Sequence, residues 1–481
     1  MESAYILAMN STEDYQPFPP GDGRPHEACG VVALYNVPQA ARFLYAALFA
    51  LQHRGQESAG MVIFDGWNNN ARKGMGLVNE VFKGDFDEEL PGSTGIGHVR
   101  YSTTGRSCEQ NIQPLTAECR DGNWAIAHNG NLVNAAELRE AYQRRGAIFQ
   151  TSTDSEILLH QLADPRYLQL PNRLPALFTQ LQGSFAFVLL NNGKVYAARD
   201  PWGIRPLSIG RLGDGYVLSS ETCVFTQLGI DYLRDVEPGE FICIDHMGLH
   251  STRFDESVGQ AVGQCVFEHI YFARPDSVVF GKSVYNTRIA IGRQLFKESP
   301  AKGDCVVPIP DSGVLAALGF SQASGIPLHY GFVRNHYAGR TFILPSAGAR
   351  KTSADLKLSI SPDVVKNKRV IVVDDSIIRG NTCRKRIQML RQAGAKEIHL
   401  RIACPPTRHP CSLGIDFPSA EELIANGKTV EEIRQIVEAD TLAYLSLAGL
   451  QCVMQEPMRF CMGCFTGKYP VDCHGATAPK C

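Results

Sequence analysis

The stretch RVIVVDDSIIRGNTCRKRIQML, residues 369–390, constrains the fold more tightly than any other. Its apolar, β-branched residues spell a strand buried on both faces, which belongs in a covered parallel sheet. Two carboxylates, Asp374 and Asp375, end that strand, a short polar turn containing Gly380 follows, and a helix begins. A helix start presents unpaired N–H groups and the positive end of the dipole. Ser376, Arg379 and Thr382 add donors, so the turn suits a phosphate. The paired acids suit ribose hydroxyls or a Mg²⁺-bound ligand. They lie where open α/β sheets bind ligands, at the carboxyl end of a parallel strand. The turn is neither a Walker loop nor a dinucleotide fingerprint.

The flanking sequence agrees. From residue 304, strands alternate with amphipathic helices (CVVPIP, VLAALGFSQASG, RVIVVDD, CRKRIQMLRQAG, EIHLRIA), the pattern of a parallel α/β domain. Residues 29 to about 260 read differently: short strands broken by Gly, Asn and Asp, with helical stretches at 41–52 and 134–146, predict an α+β sandwich. A chain of 481 residues exceeds one typical domain. The expected division is a leader at 1–28, domains at 29–260 and 261–450, and a cysteine-bearing tail at 451–481. Ser419 with Glu422 and Thr429 with Glu432 fit capping boxes that open two helices, and Val430, Ile433, Ile436 and Val437 make a stripe expected in the core.

A formal net charge of −2 gives no global bias toward nucleic acid or membrane. No apolar run is long enough to span a bilayer, and MESAYILAMNSTEDY lacks the basic region of a secretory signal, so a cytoplasmic location is expected. Fifteen cysteines in such a chain point to free thiols, a metal site or a reactive thiol rather than disulfides. One of them, Cys29, opens the first strand directly behind the Pro- and Gly-containing leader. Cys461 and Cys464 form a C-x-x-C pair, a spacing shared by zinc and iron–sulfur sites.

The turn at 374–382 resembles the phosphoribosyl-diphosphate motif of type I phosphoribosyltransferases. The resemblance extends along the chain: CGVVALYN, LQHRGQESAGM, GIGHVRYSTTG, AHNGNLVN, TSTDSE, RDPWGIRPL, YFARPDS, YAGRTFI, VVDDSIIRGNT and CFTGKYP occur in the order typical of the amidophosphoribosyltransferases, which open de novo purine synthesis. The fold this implies is an N-terminal-nucleophile glutaminase sandwich followed by an α/β type I phosphoribosyltransferase domain. The implied reaction hydrolyses glutamine, passes the ammonia on, and displaces pyrophosphate from phosphoribosyl pyrophosphate (PRPP) to give 5-phosphoribosylamine.

By this resemblance the leader is removed and Cys29 becomes the nucleophile. Its freed α-amine, with a pKa near ~8, can then serve as base, whereas the amide of an uncut chain cannot. Arg100 and Asp154 match the partners of the glutamine α-carboxylate and α-ammonium, and Asn129 and Gly130 match the oxyanion hole. Arg54 and Tyr101 are expected neighbours. Asp374 and Asp375 match the PRPP ribose site, directly or through Mg²⁺, and Ser376, Arg379, Gly380, Asn381 and Thr382 the 5-phosphate loop. PIPDSG (308–313) resembles the pyrophosphate loop, with Ser312 at its magnesium-linked position, and 334–351 the loop that closes over PRPP. Cys265, Cys411, Cys461 and Cys464 match the ligands of a [4Fe–4S] cluster in the leader-bearing branch, acting as a staple. The resemblance further implies purine nucleotide inhibitors and a homo-oligomer, a tetramer or dimer. Two rival readings are a hexosamine-forming relative, disfavoured by the PRPP motif, and a non-catalytic sensor, disfavoured by the intact set Cys29, Arg100, Asn129 and Asp154.

Overall fold

The computed structural model describes residues 26–27, 29–101, 107–168, 173–255, 263–335, 358–417 and 419–472. The expected leader except 26–27, most of the 334–351 loop, and Cys473 and Cys481 lie outside the described residues.

The amino half runs through β1 (Gly30–Tyr35), α1 (Ala40–Ala50), β2 (Ser58–Phe64), β3 (Asn69–Met75), β4 (Thr94–Arg100), β5 (Leu115–Cys119) and β6 (Gly122–Leu132). Next come α2 (Ala135–Gln143), α3 (Glu156–Ala163), β7 (Gly183–Asn191), β8 (Lys194–Arg199), β9 (Ser208–Leu212) and β10 (Gly215–Ser219). The half ends with β11 (Asp231–Asp235), β12 (Glu240–Asp245) and β13 (Gly248–Arg253). Two antiparallel sheets result, ordered β11-β9-β10-β1-β4-β2-β3 and β13-β12-β8-β7-β6-β5.

Alternation along β1 explains the layering. Val31 and Ala33 face the second sheet, joining Ala125, Ala127, Val188 and Ile242 in the core between the sheets. Val32 and Leu34 face outward, where Leu44, Ala47 and Leu48 of α1 cover them. On the other side, Ile157 and Leu158 of α3 pack over Phe185 and Phe187 of β7. Each such side chain contributes about 1.5–3 kcal/mol on burial. The layers are therefore helix, sheet, sheet, helix. The helices expected at 41–52 and 134–146 are present with ends shifted by one to three residues.

After β14 (Gln264–Cys265) and α4 (Val284–Glu298), the carboxyl half builds a parallel sheet from β15 (Cys305–Pro308), β16 (Arg369–Asp374), β17 (Glu397–Ile402) and β18 (Thr441–Tyr444), in that order. Helix α5 (Val314–Ser324) crosses α4 at backbone contact. A Cβ at Gly292 would lie 1.9 Å from Ala316 O, and one at Gly319 2.1 Å from Ile289 O, so the crossing needs glycine on both helices. Helix α6 (Asn381–Gln392) follows β16 and buries Ile387 and Leu390. Helix α7 (Val430–Val437) precedes β18, and β19 (Phe460–Cys461) and α9, preceded by α8 (Leu447–Met454), close the described chain; α9 spans Gly463–Thr466.

Two expectations are corrected. The Ser419–Glu422 capping box opens only a three-residue 3₁₀ turn, whereas the Thr429–Glu432 box caps α7. The apolar stripe of α7 is wider than the face it buries: Ile433 and Val437 are in the core, but Val430 and Ile436 are exposed. Among the described residues no helix is long and apolar enough to cross a membrane.

Candidate active sites

Strand register brings the amino-half candidates together. Gly30 pairs with Val99, which sets Cys29 beside the end of β4, where Arg100 sits. Cys29 is buried, with a left-handed φ of 68°, and its Sγ donates to Tyr101 O at 3.7 Å. Burial pushes its thiol up to about 11; Arg100 pulls the other way, and Glu57 and Asp154 add to the rise. With an amide on its nitrogen, this thiol is protonated at neutral pH. Arg100 Nη1 donates to Glu57 Oε1 at 2.8 Å, a buried pair.

Asn129 and Gly130 lie on β6, which faces β4 across the sandwich; a His98 ring nitrogen is 3.1 Å from His128 O. Asn129 is fully buried, and neither polar atom of its side chain finds a partner among the described residues. Such groups are rare in folded proteins and mark places where a ligand completes the bonding. Gly130 has φ 151°, and a Cβ there would lie 2.1 Å from Ser184 O, so no other residue fits. Asp154 accepts from Leu132 N at 2.8 Å and from the Thr153 hydroxyl at 3.2 Å. Burial alone would raise its carboxyl; the facing His128 and these hydrogen bonds more than offset that and hold it below its ordinary value.

Sequence reasoning named Arg54 as a neighbour but missed what it does. Arg54 Nε donates to Cys29 O at 3.2 Å, Nη1 to Glu221 Oε1 at 2.5 Å and Nη2 to Glu268 Oε1 at 2.9 Å. All three side chains are fully buried. Glu268 follows β14, so a carboxylate from beyond the first sandwich secures the guanidinium behind the nucleophile. Burial raises Glu221, but His53 and Arg54 hold it far below its ordinary value. The partners are 25 to 214 positions apart, so no local pattern could reveal them.

In the carboxyl half, Asp374 ends β16 and Gly380, with φ 85°, opens α6, so the N–H groups of Asn381 and Thr382 begin the helix. Both acids are buried. Asp374 Oδ2 accepts from Arg386 Nη1 at 2.8 Å; Asp375 accepts from Ser376 Oγ at 2.6 Å and from Ser312 Oγ. The 308–313 turn and the 374–382 turn therefore meet, as expected. A cleft lined by Asp374, Asp375, Ser376, Gly380, Thr382 and Arg386 opens there. Arg379 Nη2 lies 3.2 Å from Glu422 Oε1, an ion pair at the rim. Sequence reading missed Arg386, whose only signal is its place one turn into α6.

The four cysteines expected as cluster ligands lie near one another between β14 and the tail. Cys265 and Cys461 are opposite each other in the parallel pair β14–β19. Cys464 follows on α9, and its carbonyl accepts from Arg408 N at 2.9 Å and His409 N at 3.1 Å, which brings Cys411 alongside. Burial pushes the Cys265 and Cys464 thiols far up, and Cys461 and Cys411 add to both rises. Among the described residues no three or more His, Cys, Asp or Glu side chains converge at metal-ligand distance.

A family model described as a glutamine amidotransferase domain matches residues 98–227. The amidophosphoribosyltransferase of Bacillus subtilis strain 168 is 44% identical over 458 residues, covering 94% of this chain and 96% of that protein. The Archaeoglobus fulgidus amidophosphoribosyltransferase is 46% identical, covering 93% and 99%. A solved structure of glutamine PRPP amidotransferase from B. subtilis, complexed with ADP and GMP, superposes with a TM-score of 0.88 at 44% identity, covering 93% of this chain and 99% of that one. With this similarity running through both halves, the chain belongs to the amidophosphoribosyltransferase family.

Proposed function

We propose that the chain makes 5-phosphoribosylamine from glutamine and PRPP by two coupled reactions. The observation that carries this reading is that one chain holds both a buried thiol at the end of β4, facing the strand whose Asn129 is unpartnered among the described residues, and an acid-ended strand that opens into a helix N-terminus.

Removal of residues 1–28 would free the Cys29 amine. The amine takes the thiol proton, and the thiolate attacks the side-chain amide carbon of glutamine. Asn129 Nδ2 and Gly130 N donate to the oxyanion, Arg100 and Asp154 hold the α-carboxylate and α-ammonium, and the Cys29 ammonium returns its proton to the leaving nitrogen as the C–N bond breaks to release ammonia. Water then hydrolyses the thioester to glutamate. The ammonia passes to the carboxyl half and attacks C1 of PRPP as the C1–O bond to pyrophosphate breaks. There Asp374 and Asp375 hold the ribose hydroxyls, and Ser376, Arg379, Gly380, Asn381 and Thr382 the 5-phosphate. The loop at 334–351, mostly outside the described residues, would exclude water so that ammonia is not lost.

The oxygen donors Ser312, Asp374 and Asp375 fit Mg²⁺, which would offset the charge of the leaving diphosphate. The thiols of Cys265, Cys411, Cys461 and Cys464 would hold a [4Fe–4S] cluster: burial makes the Cys265 and Cys464 thiols resist ionisation unless a positive centre shares their charge, and Cys411 and Cys461 are half-buried beside them. Its part would be to tie β14 to the tail, since neither half-reaction moves electrons. The division at 29–260, 261–450 and 451–481 follows these roles. Purine nucleotides as inhibitors, a homo-oligomer and a cytoplasmic setting complete the reading; the relative solved with ADP and GMP supports the first.

A coupled assay tests it: glutamine and PRPP together should yield glutamate, pyrophosphate and phosphoribosylamine in equal amounts. Glutamate release by Cys29→Ser at the parent rate would refute the nucleophile.

A further inference from the structure

The oxyanion donors sit on β6, which pairs with β7 through this stretch, and the other half adds contacts of its own there. Asn131 Nδ2 donates to Ser412 O at 2.8 Å. The Ser184 hydroxyl donates to Leu413 O at 2.9 Å and accepts from Asn131 N at 3.2 Å, so it relays between the two segments. Gly414, with φ 90°, presses on the same place: a Cβ there would lie 3.3 Å from the Gly130 carbonyl carbon and 2.8 Å from Arg205 Nη2. Arg205 Nη2 also donates to Leu413 O at 3.2 Å, while its Nη1 lies 3.3 Å from Glu268 Oε1. Glu268 in turn holds Arg54, which donates to the Cys29 carbonyl.

We propose that residues 412–414 of the transferase half are a positioning element for the glutaminase oxyanion hole, with Asn131 and Ser184 as its receivers and Arg205 joining it to the clamp behind Cys29. The proposal rests on the glutaminase reading above. Among the described residues the Asn129 side chain has no partner to fix it, so the hole takes its geometry from the backbone on either side of Gly130. Oxyanion stabilisation depends on donors held near hydrogen-bond distance of the developing charge. A displacement of about 1 Å costs on the order of 100-fold in rate. The bonds from 412–414 end on Asn131, Ser184 and Arg205, whereas Asp154, which holds the ground state, meets β6 at Leu132 N. The turn therefore acts more on turnover than on glutamine binding.

The test uses the processed full chain carrying Asn131→Ala, Ser184→Ala, or both. Three quantities are measured: glutaminase kcat and KM, phosphoribosylamine formation from PRPP with ammonium in place of glutamine, and inhibition by glutamate γ-semialdehyde, whose thiol adduct places an oxyanion in the hole. The double variant should lose about 10- to 100-fold in kcat. Its glutamine KM and ammonium-driven activity should stay within twofold of the parent, and semialdehyde affinity should fall in step with kcat. An unchanged kcat, a rise in KM alone, or an equal loss of ammonium-driven activity would each overturn the proposal. Absence of glutaminase activity in the parent chain would instead overturn the functional reading.

Discussion

Arg386, one turn into α6, donates to Asp374 at 2.8 Å, and both side chains are nearly buried. The neighbouring Asp375 has separate partners in Ser312 and Ser376. Asp374 is thus neutralised by a cation while Asp375 is oriented by two hydroxyls, so the two acids at the strand end are held independently. Removing the arginine would strand a buried charge, at a cost of about 3–5 kcal/mol. Arg386→Met should therefore lower the denaturant midpoint clearly, and adding Asp374→Asn to it should restore part of the loss. Two independent losses of stability would argue against the pair.

Replacing Asp374 and Asp375 together by Asn should separate the two reactions. PRPP-dependent product should fall at least 100-fold, on the order of a lost charge-stabilising contact in transfer chemistry. Glutamate release measured without PRPP should stay near the parent rate.

Cys29 should be silent until its amine is free. Burial pushes the thiol to about 11 in the uncut chain, so at pH 7.5 only about one molecule in 3,000 carries the thiolate. A variant blocked at the 28–29 junction should react with iodoacetamide at Cys29 orders of magnitude more slowly than the processed enzyme, as followed by peptide mass spectrometry. Cys29→Ser in the processed chain should abolish glutaminase activity while leaving ammonium-driven transfer intact.

Two buried histidines predict a specific acid sensitivity. Burial depresses His98 to about 3, with Arg100 and His128 adding to the depression and a bond to the His128 carbonyl opposing it. Burial depresses His269 to about 4, with Glu268 opposing and Arg288 and Lys282 adding. Both are neutral in the fold, and the unfolded chain binds protons more readily. Their contribution is complete above pH 6.5 and is lost as pH falls toward 3. Between pH 6.5 and 5 each should remove about 2 kcal/mol, at ~1.4 kcal/mol per unit, before ordinary carboxylates titrate. Urea midpoints across that range should fall accordingly, and His98→Gln should flatten the slope.

Anaerobically purified protein should contain about four irons and four acid-labile sulfides per chain. Cys411→Ser should reduce both and lower thermal stability. A colourless protein of undiminished stability would set the cluster aside.

Local chemistry was legible in the sequence where one short segment carried it. The acids ending β16, the glycine opening α6 and the Thr429–Glu432 cap each lie within a few residues of their partners, and the structure reproduces them. The ordered motifs carried Cys29, Arg100, Asn129 and Asp154 into one region. What stayed illegible was long-range compensation of charge. Glu57 opposite Arg100, Arg386 beneath Asp374, and the chain Arg54–Glu268–Arg205 depend on strand register and on packing between the halves. The exposed Val430 and Ile436 failed for the opposite reason: an apolar stripe records what a helix can bury, not how much of it a neighbour covers.

The most direct test gives the processed enzyme glutamine labelled with ¹⁵N in the amide, together with PRPP in unlabelled ammonium buffer, and follows the label. The account predicts glutamate and pyrophosphate in equal amounts, with ¹⁵N delivered to phosphoribosylamine and little exchange with the buffer. Glutamate formed without pyrophosphate, or phosphoribosylamine carrying only buffer nitrogen, would contradict it.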